Sequence, residues 1–96
     1  MAFLRVAVFT VEGASDATLT TWEDIMGSAL RNHPDCIEVT ASRSGDEVAI
    51  ISKWQSEEAF RAATQSKPIV DVHITVSNRL GMSPDQEPTW SFEGSI

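Results

Sequence analysis

A Ser-Gly-Asp turn signal at Ser44–Asp46 stands between two strand-like runs, Cys36–Ser44 and Glu47–Trp54. A turn this short leaves its flanking strands no choice but to lie side by side and antiparallel. In the second run Val48, Ile50 and Trp54 fall on one face, and Ala49 and Ile51 on the other. That is the period of a strand. The run ends in "KWQSEEAF", where Ser56 offers an N-cap and Glu57 and Glu58 suit the positive end of a helix dipole. A hairpin that passes directly into a helix is the strongest constraint in the chain.

The flanking segments extend the pattern. Phe3–Glu12 is rich in β-branched and aromatic residues and reads as a first strand. "GASD" breaks it, and Ser15 or Asp16 can cap the next segment as a helix. Leu19, Trp22, Met26, Ala29, Leu30 and His33 then recur on one broad helical face, while Glu23, Asp24 and Arg31 lie elsewhere. Pro34 ends that helix, because the residue before proline is driven from helical geometry. The second helix is expected to run to about Lys67. "PIVDVHITVSNRL" is ambiguous: its β-branched residues favour a strand, yet Pro68 also suits the first turn of a third helix. "GMSPDQEP" reads as a loop and "TWSFEGSI" as a last strand.

The order is β-α-β-β-α-β with an insert before the last strand. This predicts an α+β, ferredoxin-like domain with a four-stranded antiparallel sheet. Two helices cover one sheet face. The other face still carries Val, Ile, Phe and Trp, and a second copy of the chain is the simplest cover for it.

With 96 residues, one domain over 1–96 is expected. Fourteen acids against seven Lys and Arg give a net charge of −7. With no Lys/Arg cluster, that argues against nucleic acid and anionic membranes as partners. It places no limit on a neutral or aromatic ligand. Cys36 is the single cysteine, which excludes an intrachain disulfide and suits the cytoplasm. "MAFLRVAVFTVEGAS" has an early Arg and an apolar run like a short signal peptide, but Glu12 ends the run and its composition suits a strand. No uncharged run approaches the ~18 residues of a membrane span.

The pattern "HPDCIEV…DEVAIISKWQSEEAFRAATQS" resembles the antibiotic biosynthesis monooxygenase-like family. His33-Pro34-Asp35 stands where Pro-Gly is usual in that family. Trp54, Ser56, Glu58, Ala59 and Phe60 match its strand-end tryptophan and Ser-x-Glu-Ala-Phe pattern. The resemblance implies a dimeric α/β barrel of two ferredoxin-like units. It also implies one of several roles, among them cofactor-free oxygenation of polycyclic phenols and haem degradation.

On that resemblance Trp54 becomes a candidate pocket wall, with a flat apolar surface and one N–H donor. The same residue has a plain packing role under the second helix. His73, nineteen positions later, matches the iron-binding histidine of the haem-degrading members; imidazole titrates near neutrality, so it could equally be a general base. It could also be an ordinary surface histidine. The haem reading lacks two of its three residues: Ala7 and Val8 stand about where those enzymes carry Asn, and Ala63 where they carry Trp.

Phe9, Trp22, Met26 and Phe60 are candidate substrate-binding residues on elements that would enclose a cavity, although Trp22 and Met26 also read as core. Arg5, Arg43, Arg61 and Arg79 are isolated in sequence; Arg79 precedes the loop and could orient an oxyanion, although a solvated arginine is the plainer reading. His33, Asp35, Cys36 and Glu38 are spread apart by Pro34 and strand geometry, so no metal is expected. The leading functional expectation is a cofactor-independent monooxygenase, or a related tailoring enzyme, acting on a small polycyclic aromatic molecule. His73 would be the base, Trp54 the donor or stacking wall, and no cofactor would be needed. The alternatives are a dimeric binder without turnover and a haem-binding protein using His73.

Overall fold

A computed structural model describes residues 1–96. Strand β1 spans Phe3–Thr10, β2 Cys36–Ser44, β3 Glu47–Trp54 and β4 Trp90–Ser95. They form one sheet in the order β2-β3-β1-β4, and every neighbouring pair is antiparallel. The hairpin turns at Gly45–Asp46, with Gly45 at φ 60°. That backbone region is closed to most side chains, and a two-residue hairpin requires it. β1 stops at Thr10, short of Glu12, and Val11 is tied instead to the hairpin tip through its N–H to Asp46 O at 2.7 Å.

The first helix is continuous but uneven. Helix α1 (Asp16–Trp22) passes into a π-helical stretch, Glu23–Gly27, and then into α2 (Ser28–Arg31). Ser15 precedes it, with its backbone N–H donated to Thr18 Oγ1 at 3.0 Å. The widened turn is packed around Gly27, where an added Cβ would come within 2.9 Å of Glu23 Oε2 and 3.0 Å of Arg31 Nη1. The missing side chain leaves room for the Glu23–Arg31 ion pair. Arg31 Nη2 also donates to Val39 O at 3.2 Å, fastening the helix to β2. The helix ends before His33, so that residue does not lie on its apolar face; instead its Nδ1 accepts the Asp35 N–H at 3.1 Å.

Helix α3 (Glu57–Gln65) begins where Ser56 Oγ accepts the Ala59 N–H at 3.0 Å. The ambiguous segment is α4, Lys67–Arg79, with Pro68 in its first turn. Ile69, Val72, Val76 and Leu80 recur every three or four residues, and all are fully or partly buried. That spacing outweighs the strand preference of the β-branched side chains, because burial decides more energy than intrinsic propensity.

The core lies between the helices and one sheet face. Phe3, Ala7, Val39, Val48, Ser52 and Trp54 are buried there. Trp54 is the most enclosed large side chain, 1 % exposed. Residues of the opposite phase point away. Among them Val6 pairs with Ile51 and Phe92, and Val8 with Ala49 and Trp90. Trp90 is 56 % and Phe92 49 % exposed.

Candidate functional site

A cavity of about 270 Å³ opens between the helices and the covered sheet face. This is near the lower end of the ~300–1,000 Å³ range of small-molecule sites. Thirteen of its twenty lining residues are hydrophobic. Strand alternation brings Phe9, Val48, Ile50 and Trp54 to it from β1 and β3. The first helix contributes Trp22, Met26 and Leu30, four residues apart. Helix α3 supplies Phe60, and α4 supplies Ile69, His73 and Val76. The loop after α4 adds Met82, Ser83 and Gln86, and is held across the cavity where Gln86 Nε2 donates to Thr10 O at 2.9 Å.

Phe9, Trp22, Met26, Trp54, Phe60 and His73 are thus brought together on one cavity. Arg79 is not: it is exposed at the end of α4 and does not line it. Trp54 sits among aromatic edges. Its ring meets Phe60 at 5.5 Å and His33 at 5.8 Å, both edge-on, and Phe60 meets Phe3 at 5.3 Å. The Trp54 Nε1–H is buried with no hydrogen-bond partner. An orphaned buried donor costs about 1–3 kcal/mol, so it calls for a reason.

His73 lies on the rim, exposed, with Nε2 2.8 Å from Pro84 O. A carbonyl can only accept, so Nε2 carries the proton and Nδ1 is the nitrogen left free. The haem-degrading pattern does not fit these surroundings. Nε2 is occupied by Pro84, and the positions matching the Asn and Trp of those enzymes hold buried Ala7 and Ala63. No group of three His, Cys, Asp or Glu side chains is placed to hold a metal ion.

Reading along the chain missed Arg5, Ser52 and Ser77, all of which line the cavity. Ser52 and Ser77 are buried residues. Arg5 lies between Phe3 and Ala7 in the inward phase of β1, and that misplaced polarity was the available signal. Nor are Arg5 and Arg61 isolated. Both guanidinium groups lie over the Phe60 ring, at 5.5 and 5.2 Å from its centroid, and both approach Glu93. Hydrogen bonding to Glu93 is the main cause holding the Arg61 guanidinium above its ordinary pKa, with Glu57 adding to it.

A second concavity, about 570 Å³, lies against the outward sheet face and is lined by Leu4, Ile51, Lys53 and Ile96 among others. It carries neither Trp54 nor His73.

The profile of the antibiotic biosynthesis monooxygenase family matches residues 1–73. The chain belongs to this family. Solved structures of similar fold span nearly all of this monooxygenase-family chain. One is the cofactor-independent oxygenase SnoaB from Streptomyces nogalater, 20 % identical with a TM-score of 0.68, over 97 % of this chain and 88 % of that one. Another is a monooxygenase from the gene ActVA-Orf6 of Streptomyces coelicolor, in complex with nanaomycin D. It is 22 % identical with a TM-score of 0.69, over 99 % of this chain and 90 % of that one. Rv0793 from Mycobacterium tuberculosis is 15 % identical with a TM-score of 0.71, over 100 % and 95 %. No curated protein matches the chain. No helix is long and apolar enough to cross a membrane.

Proposed function

We propose that this family member is a cofactor-independent monooxygenase that converts a small fused-ring phenol to a quinone. The observation that carries the reading is the apolar cavity with an unpartnered Trp54 N–H in its wall and His73 at its rim. The cavity's modest volume suits a compact ring system. Nδ1 of His73 is the base that takes the phenol proton. The phenolate reduces O₂ and the new C–O bond forms at the para carbon as a hydroperoxide. Loss of the C–H proton with cleavage of the O–O bond releases water and leaves the quinone. One oxygen atom enters the product and the other leaves in water, so the substrate supplies all the electrons. The apolar walls keep competing water out, and the Trp54 N–H donates to an oxygen of the bound ring as charge develops on it.

The working unit in this proposal is a cytoplasmic homodimer of single-domain chains, each covering the other's outward sheet face. Its support is the exposed Trp90 and Phe92 on that face, which a lone soluble chain would leave against water. The same cavity in a dimeric binder without turnover is the competing reading. An oxygen electrode separates the two: incubation with fused-ring phenols and no added cofactor should consume O₂ and yield quinone absorbance in equal amounts. His73→Ala should abolish both. Tight ligand binding with no O₂ uptake across the panel would leave the binder reading standing.

A further inference from the structure

Fourteen acids outnumber seven Lys and Arg in this chain, yet no Asp, Glu or Lys lines the cavity, and its one formal charge is Arg5. The other polar lining groups are the Trp54 N–H, His73, Gln86 and the hydroxyls of Ser52, Thr64, Ser77 and Ser83, of which Thr64 already donates to Phe60 O at 3.0 Å. The Trp54 N–H can only donate, and each hydroxyl can donate as well as accept. The one charge on the wall is therefore positive, against the sign of the whole protein, and favours a ligand that carries an anion.

Arg5 is also incompletely paired. Its one ionic partner is Glu93, whose Oε2 stands 3.5 Å from Arg5 Nε, within ion-pair range but without hydrogen-bond alignment. The same carboxylate is 2.5 Å from Arg61 Nη2 through Oε1, and Arg61 is the closer partner. Arg5 Nε is buried without a hydrogen-bond partner, and its side chain keeps 30 % of its surface open. A guanidinium in that condition has forked donors to offer, and a carboxylate matches their geometry in a bidentate pair.

Resting on the reading of the cavity as a ligand site, we propose that Arg5 selects substrates whose fused ring carries a carboxylate, which it binds while Phe60 and Trp54 pack the ring. Phe60 is suited to hold both partners, since its ring already lies under the Arg5 guanidinium and against the Trp54 edge. Arg5 is in this role a specificity residue, distinct from the proton-transfer group.

The test uses two probes of nearly equal shape, an anthraquinone carboxylate and the matching carboxamide, titrated against the full chain at neutral pH by calorimetry. The wild type should bind the acid about tenfold more tightly than the amide, the scale of one charge-assisted pair. Arg5→Met keeps the aliphatic stem over Phe60; it should erase that preference and leave amide affinity near wild type. Arg5→Lys should retain part of the preference, and Glu93→Gln should enlarge it by removing the competing carboxylate. Amide binding in each variant reports that the cavity is intact, so the acid-to-amide ratio stands even where a variant is less stable. Equal affinities in the wild type, or a preference that survives Arg5→Met, would overturn the role of Arg5 while leaving the cavity a ligand site. Failure of both probes to bind the wild type would overturn the cavity reading and this one together.

Discussion

The two faces of the sheet are built from the same four strands and are both apolar, yet they have opposite fates. The inward face places Ala7, Val48, Ser52 and Trp54 under helices and buries them. The outward face leaves Ile51, Trp90 and Phe92 open to solvent. The inward face also holds polar groups: the Trp54 N–H and Arg5 Nε, both buried without a partner, and the buried Ser52. On the outward face Val6 pairs with the apolar Ile51 and Phe92. The contrast separates two kinds of recognition. On the proposed reading, a face that meets a second chain needs area, whereas a cavity that takes a small aromatic needs donors placed at a cost in stability.

The largest expected effect separates the faces by stability. Trp54→Ala should cost about 3–5 kcal/mol, because a fully enclosed indole leaves a cavity that cannot collapse. Trp90→Ala, measured by denaturant at concentrations where the chain is monomeric, should stay within about 0.5 kcal/mol of wild type. Equal losses at the two positions would erase the distinction.

Next in size is association. Phe92→Glu places a charge among the exposed apolar side chains of the outward face, on the edge strand β4, and sedimentation at micromolar concentration should find a dimer for wild type and a monomer for the variant. Circular dichroism should be unchanged. A wild-type monomer would remove the role assigned to that face.

A smaller effect sharpens the inward face. Trp54→Phe keeps most of the packing and deletes a donor that has no protein partner, so stability should fall by less than about 1.5 kcal/mol. Affinity for fused-ring quinones should nevertheless drop several-fold if the N–H meets the ligand. Wild-type affinity in this variant would reduce Trp54 to packing alone.

The smallest effect lies at the sheet edge, where Cys36 pairs with Trp54 in the inward phase. Burial pushes the Cys36 thiol pKa up, against a smaller opposing pull from Arg31 and a hydrogen bond to the Glu38 backbone. A raised pKa means less thiolate at a given alkaline pH. Iodoacetamide should therefore react more slowly with Cys36 than with free cysteine. A faster reaction would show the inward face open at this edge.

Much of this arrangement was legible in the chain. The Ser44–Asp46 turn and the alternation of Val48, Ile50 and Trp54 set the hairpin and its two faces, because period and turn geometry are local. The Ser56 cap placed α3 for the same reason. The segment from Pro68 to Leu80 was legible only in part: its β-branched residues and its helical spacing disagree, and local propensity cannot say which will win. Packing of Ile69 and Val76 against the first helix and the sheet settles it. The π-helical stretch at Glu23–Gly27 had no sequence signature beyond Gly27, whose missing side chain leaves room for the Glu23–Arg31 ion pair.

The candidate site divides in the same way. Sequence alone determined the strands, the first helix and α3, the inward phase of Trp54 and a set of aromatic residues suited to one cavity, because each comes from short-range spacing or from a motif carried on contiguous residues. Only the tertiary structure decided that Arg79 stands outside while Arg5 stands inside, that His73 is anchored to Pro84, and that Arg5 and Arg61 compete for Glu93. Those facts join residues up to 88 positions apart, from β1 to β4, and no local period encodes such a distance. They depend on which strand closes beside which, and on how far a side chain reaches once the sheet has formed.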